Sequence, residues 1–291
     1  MHHKGFCDGS KSIIGGCGVR MLKIVIFILF PTLAFGKIPS FTSYQQILDK
    51  HLSEFNQSRG FASAFDYAAA IKDALTLKSI AEQKELLNKF NPADLETREE
   101  ALAFWINTYN FFMIAKIVQD GSKNGELKIK GIKDLGSFFN SYSAFGEKDF
   151  SVNGIKMSLD EIEKGRLLSD EFRQKGWKDA RIHFAVNCAS VGCPPLRKSA
   201  YNPESINAVL DENEQKAMTT TRHIEWRGDT LWVTHLLKWY EKDFNENYGS
   251  VRKFIAHFTT DPAGKSKILE AQKMDYIPYD WKLNVKENFS N

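Results

Sequence analysis

The stretch Ala101-Leu102-Ala103-Phe104-Trp105-Ile106-Asn107-Thr108-Tyr109-Asn110-Phe111-Phe112-Met113-Ile114-Ala115-Lys116-Ile117-Val118 is apolar nearly all round when wound as a helix. Such a helix has no face to give to water, so the rest of the chain has to wrap it. Thr97 and Glu100 stand just before it at capping-box spacing, which predicts where it starts. Its polar exceptions align. At about 100° per residue, Glu100, Asn107 and Asn110 share a sector of roughly a quarter turn with Ala103 and Ile114. A carboxylate and two amides on one stripe of a buried helix need partners. Neighbouring backbone can supply them, or the stripe can face a site and orient a catalytic or ligand group.

A second stretch carries the chemistry. Ile182 to Val186 is a short apolar run that reads as a buried strand. It breaks at Asn187-Cys188-Ala189-Ser190-Val191-Gly192-Cys193-Pro194-Pro195, which neither strand nor helix can absorb. His183, Asn187, Ser190 and two cysteines sit at that break.

The N-terminus decides how many cysteines matter. Met21-Leu22-Lys23, the apolar run from Ile24 and the Ala34-Phe35-Gly36 end resemble a secretory signal peptide cleaved after Gly36. The run is too short for a comfortable membrane span. Residues 1–20, with Cys7 and Cys17, read as an upstream over-call of the start. The mature chain then keeps Cys188 and Cys193, in an oxidising compartment where a close pair tends to be bridged. Composition is ordinary for a globular protein of 291 residues: 43% hydrophobic, 26% charged, formal net charge +3. The interspersed charges suit a solvated surface and give no reason to expect a nucleic-acid partner.

The other elements follow in order. A helix capped by Ser43 is expected through Phe55, and another over Ser79–Phe90 with Leu86 inward. Phe65 to Ile71 reads equally as strand or helix start. Asp149–Met157 is a hairpin around Asn153-Gly154, followed by a helix over Leu159–Leu168 capped by Ser158 and Glu161. Asn202-Pro203-Glu204 opens a helix to about Ala217. His223–Trp226 and Thr230–Val233 form a hairpin whose Arg-Gly-Asp is a turn. Helices over His235–Phe244, Val251–Phe258 and Ala263–Ala271 precede an extended close, Met274 to Asn284. Trp105, Trp239 and Trp281 read as core.

Two thiols with four residues between them, on a turn stiffened by Pro194 and Pro195, can reach disulfide geometry. The sharper reading makes Cys188 a nucleophile, which needs a base or a positive field. His183 is nearest in sequence, although strand parity would point 183 and 188 to opposite faces. His235, at a helix start, is the other base, and Glu100 can orient either imidazole. Asn107, Asn110 and Asn187 alternatively form a purely structural amide network. Zinc and C-x-x-C redox spacings are absent, and no cofactor or metal is expected.

Four blocks together resemble the domain of unknown function family 547, found in exported bacterial proteins and in plant and animal proteins. They are Phe104–Asn110, Arg181–Cys188 through Cys193-Pro194, Trp239–Phe244 and Tyr279–Asn284. The resemblance runs from about Glu82 to Asn284 and implies no established activity. Papain-like and transglutaminase-like enzymes offer a loose analogy, but there the cysteine precedes the histidine.

The whole reads as one α+β domain, a central buried helix packed with other helices around a small, mainly antiparallel sheet. Residues 37–81 are an N-terminal helical extension, 82–284 the domain and 285–291 a tail. The expected function is an exported thiol-dependent hydrolase or transferase acting on a peptide or amide. Cys188 is the nucleophile, His183 or His235 the base, Glu100 the orienter, and Asn107 or Asn187 an oxyanion donor. Asn110, Asn187, Ser190 and Cys193 line the substrate side. The runner-up is a non-catalytic binding or envelope-associated module with a Cys188–Cys193 disulfide. After signal cleavage no stable membrane span is expected, and the oligomeric state is left open.

Overall fold

The capping box forms and starts a helix of 23 residues, Arg98–Asp120. Thr97 Oγ1 accepts from the Glu100 N–H at 3.2 Å, and Glu100 Oε2 accepts from the Thr97 N–H at 3.0 Å. By length and composition this helix is apolar enough to cross a membrane, but its most apolar window is entirely buried. Even Lys116 is buried, its ammonium held by Asp149, Glu147 and Asp120. The computed structural model describes residues 38–137 and 140–289, so the expected over-called start and signal peptide lie outside the described residues.

The chain wraps this helix as an α+β fold with small, mostly antiparallel sheets. The first helix, Thr42–His51, lacks the expected Ser43 cap; Phe41 stands at its cap position. It also stops early, because Leu52–Gln57 pairs antiparallel with Gly60–Phe65 through a turn in which Gly60 takes φ 100°. Phe65 therefore ends a strand and Tyr67–Lys72 is a helix. The next helix, Ala74–Lys89, starts earlier than expected because Asp73 caps it, and its Leu86 is exposed rather than inward. Phe150–Val152 and Ile155–Met157 form the expected hairpin, with Asn153 and Gly154 both at positive φ. Ser158 and Glu161 make the second capping box, but the helix they start, Leu159–Ile162, widens into a single π-helical turn, Glu163–Leu167.

The run Ile182–Val186 is not a strand. Ala180–Phe184 is a 3₁₀ helix capped by the Asp179 side chain. The apolar residues of this helix, with Ala185 just after it, serve two cores: Ile182 and Ala185 pack around the central helix, while Ala180 and Phe184 join a second cluster with Leu231, Leu237 and Phe254. That double burial makes a continuous apolar run without any ladder partner. The strand-parity objection to pairing residues 183 and 188 lapses with the strand.

The second cluster is covered by a three-stranded sheet. Ile224–Arg227 runs antiparallel to Thr230–Thr234, which pairs parallel with Lys273–Ile277. The helix expected over His235–Phe244 is two, Leu236–Trp239 and Glu241–Tyr248, broken at Tyr240. Trp239 is 46% exposed, so it is not core. Asn202 caps a 3₁₀ turn, Pro203–Ser205, that runs into Ile206–Met218. Val251–Phe258 and Pro262–Leu269 complete the helices.

The amide stripe ties these parts together. Asn107 Nδ2 donates to the Tyr201 carbonyl and its Oδ1 accepts from the Tyr201 N–H, both at 2.8 Å. Asn110 Nδ2 donates to the Ala185 carbonyl at 2.9 Å and its Oδ1 accepts from the Asn187 N–H at 2.8 Å. Replacing Asn107 by Ala leaves both Tyr201 backbone groups buried without partners. We expect Asn107→Ala to lose roughly 2–4 kcal/mol in urea unfolding; a loss under about 1 kcal/mol would show that water or a shifted backbone replaces the amide.

Candidate active site

The break after Ala185 forms one wall of a cavity of about 470 Å³, a size suited to a small ligand. Ala189 takes φ 59°, a left-handed conformation that alanine adopts only at a cost. It is held there from both sides. Its N–H donates to Asn187 Oδ1 at 2.9 Å, and its carbonyl accepts from the Asn284 N–H at 3.0 Å. The closing segment then runs along the turn, with the Val191 N–H donating to the Lys282 carbonyl and the Gly192 N–H to the Asp280 carbonyl, both 2.9 Å. Gly192 leaves little room for a side chain: a Cβ would meet the Tyr279 ring and the Asp280 nitrogen at 3.0 Å.

That close approach brings Tyr279 to the sulfurs. Cys188 and Cys193 stand at disulfide distance, with Cα atoms 6.3 Å apart. The Tyr279 hydroxyl lies 2.9 Å from Cys188 Sγ and 3.0 Å from Cys193 Sγ. The Cys188 N–H also donates to Cys193 Sγ, at 2.9 Å. Burial, reinforced by the Glu163 charge, pushes the Tyr279 phenol far above its usual range, so it remains a donor.

His183 lines the same cavity. Its Nε2 lies 2.9 Å from Asp243 Oδ2, and its ring stacks on Tyr240 with centroids 3.7 Å apart. Burial opposes ionisation of Asp243, yet hydrogen bonds from His183 and Lys178 pull its carboxyl down to about 2. A carboxylate can only accept, so in the neutral imidazole Nε2 carries the proton and Nδ1 keeps a lone pair. Nδ1 is buried and has no hydrogen-bond partner among the described residues. On the cavity side of Tyr240, its hydroxyl donates to Glu163 Oε1 at 2.6 Å.

The structure thus brings Cys188, Cys193 and His183 to one cavity and leaves other expected site residues elsewhere. Glu100 caps its own helix through the Glu96 and Thr97 N–H groups, so the imidazole's carboxylate partner is Asp243. Asn107 and Asn110 grip backbone, as does Asn187, whose Nδ2 donates to the Pro194 carbonyl at 2.8 Å. Ser190 is buried, its hydroxyl 3.4 Å from the Cys188 carbonyl. His235 donates through Nδ1 to the Ile277 carbonyl at 2.6 Å and is not among the cavity's lining residues. Reading the sequence missed Glu163, Tyr240, Asp243 and Tyr279. Three of them lie inside two blocks already singled out, Trp239–Phe244 and Tyr279–Asn284; Glu163 had no signal beyond its place in a helix. Among the described residues, no group of three or more His, Cys, Asp or Glu side chains is placed to hold a metal ion.

The depressed Asp243 carboxyl has a stability signature. Its contribution is present above the unfolded-state value near 4 and disappears as pH falls through about 2. Urea unfolding from pH 5 to pH 2 is expected to show a smaller acid-side loss for Asp243→Asn than for the parent. Equal losses would mean that Asp243 is not ionised against His183 and Lys178.

Comparison with known proteins gives one finding. The family model described as "Protein of unknown function, DUF547" matches residues 92–216. No curated protein and no solved structure matches the chain. The matched segment includes the central helix and the 181–196 stretch, whereas Trp239, Asp243 and Tyr279 lie beyond it. Over residues 92–216, a little under half of its length, the chain is similar to the DUF547 family, which is described as being of unknown function.

Proposed function

We propose that the protein is a thiol-dependent hydrolase or transferase acting on a peptide or amide, with Cys188 as nucleophile and His183 as base. One observation carries this reading: Cys188 shares a cavity with His183, which is oriented by Asp243 through Nε2 and whose Nδ1 has no hydrogen-bond partner among the described residues. Chemistry requires the reduced pair, so a dithiol reductant must first supply two electrons and two protons. The Cys188 thiol then gives its proton to Nδ1 and the thiolate attacks the carbonyl carbon. As the carbon–nitrogen bond breaks, the imidazolium returns the proton to the leaving amine. Water, or an acceptor nucleophile in a transferase, then releases the acyl group from the thioester. The oxyanion donor in this scheme is the Tyr279 hydroxyl, in place of Asn107 or Asn187, whose amides are engaged with backbone.

The second reading is a non-catalytic binding or envelope-associated module, favoured by the sulfurs standing at disulfide distance. Export, expected from residues 21–36, supports a bridged resting state under either reading.

Alkylation separates the two. After mild dithiol treatment, mass spectrometry should find Cys188 modified by iodoacetamide ahead of Cys193, and His183→Ala should slow that modification roughly 10²-fold. A bridge that resists the reductant, or a Cys188 rate indifferent to His183, sinks the catalytic reading and leaves the binding module.

A further inference from the structure

Glu163 is the least explained charge in the cavity. It is 6% exposed, sits on the π-helical turn, and lines the pocket beside Tyr240 and Tyr279. Its hydrogen-bond donor is the neutral Tyr240 hydroxyl. Among the described residues, no cation lies within ion-pair distance of it, and the nearby candidates are committed. Lys164 pairs with Asp160 at 2.7 Å, Arg166 lies over the Trp105 ring at 5.6 Å, and Lys178 is held by Asp243 and Glu246. A buried carboxylate without a cation is costly, and it stays in a fold most readily where something else completes it.

The walls around it suit a cation. Trp239, Tyr279 and Trp281 form one ring cluster, with centroids 4.6–5.9 Å apart, and all three line the cavity. Aromatic faces attract ammonium and guanidinium groups. The same cluster already holds one: Lys133 Nζ sits 4.2 Å from the Trp281 ring centroid. Trp239 lines the cavity while keeping 46% of its surface exposed. A neutral ligand would leave Glu163 without a counter-charge, and an anion would be repelled by it.

We infer that the cavity takes a substrate bearing an organic cation, an ammonium or guanidinium group on a small apolar body, seated against Glu163 and the rings of Trp239 and Tyr279 next to Cys188. This rests on the cavity being the substrate site of the proposed thiol chemistry. Its test reads binding alone, so either idea can fail without the other.

The probes are benzamidine, its neutral isostere benzamide, and benzoate, titrated calorimetrically into the purified protein. Benzamidine is expected to bind about tenfold or more tighter than benzamide, with benzoate weakest. Glu163→Gln should bring benzamidine and benzamide to the same affinity. Trp239→Ala, at a position 46% exposed, should weaken benzamidine about tenfold. Benzamide binding as tightly as benzamidine overturns the inference, as does benzamidine affinity unchanged in both variants. Benzamidine binding in a protein whose Cys188 proves unreactive upholds the ligand class and rejects the catalytic reading.

Discussion

Two side-chain amides on one buried helix hold both ends of the segment that makes the cavity wall. Asn110 takes the Ala185 carbonyl and the Asn187 N–H, and Asn107 takes both backbone groups of Tyr201. Between those two grips run Cys188, Cys193 and both prolines, a stretch with little regular structure to satisfy its own backbone. Buried backbone without partners is expensive, so the helix supplies the partners that a sheet would otherwise give. Asn187 and Asn284 extend the network outward. Asn187 Oδ1 holds the Ala189 N–H, and Asn284 Oδ1 accepts from the Tyr67 hydroxyl at 3.0 Å. The strained Ala189 and the crowded Gly192 are tolerable because this network fixes them from several sides.

Much of the frame was legible in the sequence. The central helix, its capping box and the Asn153-Gly154 hairpin depend on residues close together in the chain, and local pattern identifies them. The amide stripe was visible too, since helical periodicity alone places Asn107 and Asn110 on one side. What the stripe holds was not visible, because its partners lie 75 to 94 residues away. Glu100 was offered two roles by its position, and the local one explains its contacts: its carboxylate caps the helix it begins. The misread strand has a similar origin. Five buried residues in a row are what a central strand shows, but two separate cores produce the same run from a 3₁₀ turn. Asp243 and Tyr279 reach the site only through the folding of the last fifty residues against the middle of the chain, which no spacing rule reports.

The chemistry of the cavity follows from who competes for each polar group. His183 commits Nε2 to Asp243, leaving Nδ1 as a basic nitrogen without a hydrogen-bond partner among the described residues. Tyr279 serves both sulfurs through one hydroxyl, so it supports the bridged pair and remains a donor beside a reduced Cys188. Glu163 is tied to Tyr240, whose ring in turn packs against His183. Imidazole, phenols, carboxylate and sulfurs therefore form one set of polar groups lining a single cavity inside aromatic walls, where low dielectric strengthens each interaction. The proposed thiol chemistry and the proposed cationic ligand draw on different members of that set.

The most direct test of the proposed chemistry is the ionisation of Cys188 itself. In a Cys193→Ser protein, which cannot form the bridge, the thiolate can be titrated by its ultraviolet absorbance against a Cys188→Ser, Cys193→Ser reference. A base-paired nucleophile predicts ionisation about one unit or more below the usual thiol value near 8.5, and a return toward that value in His183→Ala. A thiol that ionises at or above about 8.5, with or without His183, would contradict the account.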